Sequence, residues 1–142
     1  MKLDPIKEIM LIDDDEATNY LSKFIIDKKK CCENLSMYSL AEEALEHLSD
    51  RIRTNKNLPD VIFLDLNMPR LNGWEFLEKF SELELSHTQV QPTIIVLSTS
   101  MNPEDREKAD QISLVSKFLQ KPLSESTLNE VMSIRHREVS HR

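Results

Sequence analysis

The chain has 142 residues, a formal net charge of −7 and a pI near 5.1. That length suits one domain with a proper core and is short for two, and the acidic balance argues against a nucleic-acid binder, whose footprint is a basic face. The single glycine, Gly73, excludes a GxGxxG turn and a GxxxxGK loop, so neither dinucleotide binding of the Rossmann kind nor P-loop nucleotide hydrolysis fits.

Met1-Lys2-Leu3-Asp4-Pro5 has no apolar signal-peptide segment, and no stretch approaches the about 18 consecutive apolar residues of a membrane span, so a cytoplasmic protein without membrane contact is expected. Ile9–Ile12 is a short continuous apolar run, the pattern of a parallel strand buried on both faces, and it ends on Asp13 and Asp14. Asp15, beside Glu16, reads as a helix cap. Leu21, Phe24, Ile25 and Lys28 share one helical stripe. Cys31 and Cys32 are adjacent, which offers neither a metal spacing nor a loop to close, so both read as free thiols. A weaker strand around Leu35–Tyr38 precedes a second helical stripe of Leu40, Ala44, Leu45, Leu48 and Ile52.

Val61–Leu64 reads as the third strand and ends on Asp65. Gly73 falls in the loop that follows, where a positive φ is expected, and Trp74, Leu77 and Phe80 mark the third helix. Ile94–Leu97 reads as the fourth strand and ends on Ser98. The next helix has the clearest start signal: Asn102 as N-cap, Pro103 at the first position, and Glu104 and Asp105 at the positive end of the dipole. Its apolar face is thin, only Ala109, Ile112 and Leu114, so it should be the least firmly packed helix. Val115–Leu119 is the fifth strand, with Lys121 and Pro122 just beyond it. Leu128, Val131 and Met132 mark the last helix. The 21 residues after Lys121 suffice for that helix and a short polar tail, with no effector domain expected in residues 1–142. His47, His87, His136 and His141 lie in separate segments and read as surface histidines.

Strand and helix alternate five times at roughly 25–30 residues per unit, the size of a βαβ crossover. The expected fold is therefore an open, doubly wound α/β domain, (βα)5 and flavodoxin-like, with a parallel five-stranded sheet in the order 2-1-3-4-5 and helices on both faces. In such a sheet ligands sit beyond the carboxyl ends of the strands, where strand order reverses. Asp13, Asp14, Asp65, Ser98 and Lys121 all fall at that end. A single Asp after a strand is most often a turn former or cap, but this convergence is hard to attribute to caps. Carboxylates brought together repel, so the cluster implies raised pKa values or a bound cation.

These residues resemble the response-regulator receiver domain of two-component signalling. The matching pieces are Leu11-Ile12-Asp13-Asp14-Asp15, Asp60 to Pro69 through Asn72-Gly73, Val96-Leu97-Ser98, and Phe118-Leu119-Gln120-Lys121-Pro122, over a core of about residues 7–135. The resemblance implies a stand-alone, single-domain phosphoacceptor rather than an enzyme, one that assists its own phosphorylation and dephosphorylation. By it, Asp65 is the phosphoacceptor. Asp14 binds Mg²⁺ (or Mn²⁺) directly and Asp13 through water, with Asp65 and the Asn67 backbone carbonyl as further ligands. Lys121 pairs with Asp65 at rest and with the phosphoryl group afterwards, and a cis bond before Pro122 turns its amine inward. Ser98 swings to the phosphoryl group and Phe118 turns inward behind it, switching the face made by helix four, strand five and helix five. The implied partners are a sensor histidine kinase or a histidine phosphotransfer protein and an unidentified downstream protein. The implied state is a monomer or a weak, phosphorylation-dependent dimer.

Two positions depart from the family pattern. Thr99 stands where the family commonly has a small residue, which is expected to restrict access to Asp65 and slow phosphate exchange. Phe118 replaces the commoner tyrosine and lacks its hydroxyl. Two alternatives stay open: a receiver-like binding module that is never phosphorylated, and a haloacid-dehalogenase-type phosphatase. The second needs an Asp two residues after the nucleophile as general acid/base, and Asn67 cannot take that role. Its nucleophile also ends the first strand, whereas Asp65 ends the third.

Overall fold

Polar groups at the very start of the first strand show how this chain builds its sheet. In the computed structural model, which describes residues 6–140, β1 spans Ile6–Ile12 and begins before its apolar run. The Lys7 and Glu8 amides donate to Asp60 Oδ2 at 2.7 and 3.0 Å, and the Glu8 carboxylate accepts a two-pronged contact from Arg51 at 2.7 and 2.9 Å. Hydropathy does not register such a strand start, because side-chain partners rather than burial satisfy it. Met1–Pro5 and His141 lie outside the described residues.

After β1 come α1 (Glu16–Lys29), β2 (Cys32–Tyr38), α2 (Ala41–Arg53), β3 (Val61–Leu64) and α3 (Gly73–Ser81). Then follow β4 (Thr93–Ser98), α4 (Pro103–Asp110), β5 (Val115–Gln120) and α5 (Glu125–Ser140). The five strands are parallel in the order β2-β1-β3-β4-β5, as expected from sequence. The last helix runs past residue 135 to Ser140, so the expected polar tail is helical over that stretch.

Strand period two sorts the core into two layers. Met10, Ile12, Ile62, Leu64 and Ile94 face α2 and α3, while Ile9, Leu11, Val61, Phe63, Ile95 and Leu97 face α1 and α5. Both layers are needed because βαβ crossovers place helices on both faces of a parallel sheet.

Three sequence expectations are corrected. The stripe expected on α1 faces the core only in part: Ile25 packs against it and Ser22 and Ile26 are buried, whereas Leu21 and Phe24 are more than half exposed. Apolar residues lie on more than one side of α1, so periodicity does not single out the sheet-facing side. On α3, Phe76 joins Leu77 and Phe80 in the core, and Trp74 is only partly buried. His47 is half-buried rather than a plain surface residue, with its ring 5.6 Å from that of Tyr38 and its Nε2 accepting from Arg51 Nε at 2.9 Å.

Candidate functional site

Register sets the site. Ile12 pairs with Leu64 across β1 and β3, so the next residue on each strand, Asp13 and Asp65, leaves the sheet at the same level. The ladder carries on into them, since the Asp13 amide donates to the Tyr38 carbonyl at 3.0 Å and the Asp65 amide to the Ile12 carbonyl at 2.9 Å. Two strands over, Ser98 pairs with Gln120, and the Lys121 amide donates to the Ser98 carbonyl at 2.8 Å. Backbone hydrogen bonds therefore fix Asp13, Asp65, Ser98 and Lys121 before their side chains make any contact.

Asp13, Asp14 and Asp65 offer carboxylate oxygens that all lie within 4.8 Å of one another. Asp13 and Asp65 are buried, and Asp14 is exposed at the mouth. Lys121 Nζ bridges the buried pair, 2.6 Å from Asp13 and 3.3 Å from Asp65. The sequence expectation paired the lysine with Asp65; the shorter contact goes to Asp13. One ammonium against three carboxylates leaves the site net negative. Burial and the neighbouring Asp13 charge push the Asp65 carboxyl up to about 6, against the partial compensation of Lys121. Lys121 itself is pushed up, the two carboxylates outweighing its burial. The donor set is all oxygen and undercompensated, which suits a hard divalent cation such as Mg²⁺ or Mn²⁺.

Neighbours hold Asp13 in place. Its Oδ1 accepts from the Asp15 amide at 2.9 Å, and its carbonyl accepts from Asn19 Nδ2 at 2.9 Å. Asp15 is a cap, as expected: its carboxylate takes the Ala17 amide at 3.1 Å and the Thr18 hydroxyl at 2.8 Å, which pulls its pKa below the usual range. Asn19 was not legible in the sequence, because a polar residue one turn into a helix carries no signal of its own.

Gly73 corrects another expectation. It opens α3 and has no positive φ; Arg70 takes the left-handed conformation, at φ 66°. A Cβ on Gly73 would lie 2.5 Å from the Asp65 carbonyl oxygen and 2.8 Å from Leu66 Cα. The glycine serves close approach: it lets α3 start against the backbone of Asp65, where the Gly73 amide donates to the Leu66 carbonyl at 2.9 Å. Asn72 caps this helix in a reciprocal capping box with Glu75.

The remaining predicted residues ring the same end of the sheet. Ser98 is fully buried, and its Oγ accepts from the Ser100 amide at 3.0 Å. Phe118 is already inside, 5% exposed, against Leu66, Val96 and Ala109. Thr99 and Asn67 are exposed. The Lys121-Pro122 peptide bond is cis. A small space of about 10 Å³ lies beside Asp13 and Asp65, lined also by Thr18, Asn19 and Ser22.

An acidic cleft thus stands at the β1/β3 switch point, with a lysine and a hydroxyl across it. Residues 9–133 match the response regulator receiver domain. The chain belongs to this family. Receiver domains act in two-component signalling as phosphoacceptor regulators. Hybrid signal transduction histidine kinase D of Dictyostelium discoideum is 32% identical over 102 residues, covering 71% of this chain and 6% of that protein. Histidine kinase CKI1 of Arabidopsis thaliana is 25% identical over 138 residues, covering 92% of this chain and 12% of that protein. The chain thus spans a small fraction of the length of both relatives. Among solved structures, a two component response regulator from Cytophaga hutchinsonii has a TM-score of 0.82 and 28% identity, covering 96% of this chain and 99% of that one. Among the described residues, no helix is long and apolar enough to cross a membrane.

Proposed function

We propose that this receiver domain accepts a phosphoryl group on Asp65 from a phosphohistidine of a sensor kinase or histidine phosphotransfer protein, in the cytoplasm, and passes the signal on by contact with another protein. The observation that carries this reading is the convergence of Asp65 with Asp13, Asp14 and Lys121, with Lys121 Nζ 3.3 Å from the proposed nucleophile. A carboxylate whose pKa is about 6 is mostly ionised at neutral pH, so it needs no general base. An Asp65 Oδ attacks phosphorus, the P–N bond breaks, and its electron pair returns to the histidine ring.

Asp13, Asp14, Asp65 and the Asn67 carbonyl would hold Mg²⁺ or Mn²⁺, which when bound neutralises the charge of the incoming phosphoryl oxygens. Lys121 follows the charge from the carboxylates to a phosphoryl oxygen, as positioning and neutralisation dominate this chemistry. Ser98 donates to another phosphoryl oxygen. The α4–β5–α5 face, with Phe118 behind it, then changes its preference between two arrangements.

The test is an NMR titration with beryllofluoride, an acyl-phosphate mimic, in Mg²⁺. The native chain is expected to show saturable shifts around Asp65, Ser98 and Phe118 that Asp65→Asn abolishes; a silent native chain contradicts the reading and leaves a binding module that is never phosphorylated. Thr99, exposed at the rim, is assigned the role of slowing exchange. Thr99→Ala should speed both phosphorylation by a small donor and loss of phosphate, and unchanged rates would remove that role.

A further inference from the structure

The helix with the least apolar anchorage is tied to the site by two adjacent residues of opposite charge. Helix α4 buries only Ala109. Asp105, in its first turn, accepts from Ser100 Oγ at 2.6 Å, and the same Ser100 donates its amide to Ser98 Oγ at 3.0 Å. The Asn102 amide closes this loop by donating to Ser100 Oγ at 3.2 Å. The next residue, Arg106, lays its guanidinium over the Phe118 ring, with Cζ 5.2 Å from the centroid. One turn of α4 therefore touches the Phe118 ring directly and reaches the Ser98 hydroxyl through Ser100. Lys108 adds a tie to α3, its Nζ 4.5 Å from the Trp74 ring centroid.

The two ties oppose each other. Fixing Ser100 through Asp105 holds its amide on Ser98 Oγ, a bond Ser98 gives up in order to reach a phosphoryl oxygen. A guanidinium over the Phe118 ring favours the ring where it already sits, inside. Resting on the phosphoacceptor reading above, we infer that Asp105, acting through Ser100, and Arg106, acting on Phe118, are positioning residues that set the balance between the resting and phosphorylated arrangements with opposite sign.

The experiment is beryllofluoride affinity at saturating Mg²⁺, read by NMR on the full 142-residue chain. Ser100→Ala and Asp105→Ala should each tighten binding by about twofold to tenfold, the size of one net hydrogen bond. Their double variant should tighten it no further than either alone, because both cut one link. Arg106→Met, which keeps the stem and loses the charge, should weaken binding by about twofold to fivefold, and Arg106→Lys should restore most of it. A purely structural role would move all variants the same way. Same-signed or absent changes in variants of a responsive native chain overturn the inference alone; a native chain that does not respond overturns the function and this inference with it.

Discussion

At Asp65 the fold carries a charge it does not fully compensate, and that has a sign that can be measured. The folded carboxyl titrates at about 6 against an ordinary value of 3.8, so the folded state holds the proton to higher pH than the unfolded state does. Without divalent ions, the contribution of Asp65 to stability should be greatest below about pH 4, fall as pH rises through about 6, and level off above. Asp65→Asn removes the charge, and urea unfolding in EDTA at pH 7 should find it more stable than the native chain by about 1–3 kcal/mol, with a flatter pH profile. A less stable variant would mean that the ionised carboxylate is well compensated after all. Gly73 makes a second residue-scale test. Helix propensity alone favours alanine over glycine, yet a Cβ there meets the backbone of Asp65 and Leu66, which cannot swing away as a side chain does. Gly73→Ala should cost about 1–3 kcal/mol in urea unfolding, and a stabilised variant would show that α3 can shift freely.

Among the elements, α3 and α4 are similar in length, nine and eight residues, but differ in what they bury. Phe76, Leu77 and Phe80 anchor α3 in the core; α4 has Ala109 and two cation–π contacts. Amide exchange should therefore be faster in Glu107–Asp110 than in Leu77–Phe80, and equal protection would contradict the thin packing of α4. That weakness was legible in the sequence, as were its Asn102 cap and the strands Val61–Leu64 and Ile94–Leu97, because caps and continuous apolar runs are local signals. The burial face of α1 was not, since its apolar residues surround the helix. Nor was the polar beginning of β1, which depends on partners distant in sequence, Asp60 and Arg51. The site divides the same way. Its carboxylates and lysine stand at strand ends and could be read; Asn19, Ser100 and the closer pairing of Lys121 with Asp13 arise only when the strands are in register.

For the molecule as a whole, a doubly wound sheet brings residues 13, 14, 65, 98 and 121 to the carboxyl end of its strands, and we propose that this end makes Asp65 a phosphoacceptor. The proposed cation, the proposed movement of Ser98 and the ties to α4 all take their purpose from that role. The most direct measurement is intact-mass spectrometry after incubation with acetyl phosphate and Mg²⁺, with the modified residue located by borohydride reduction of the acyl phosphate. A mass gain of one phosphoryl group, located at Asp65, lost in Asp65→Asn and lost when EDTA removes the metal, is the predicted result. An unmodified native chain, or a phosphoryl group that persists in Asp65→Asn, would contradict the account.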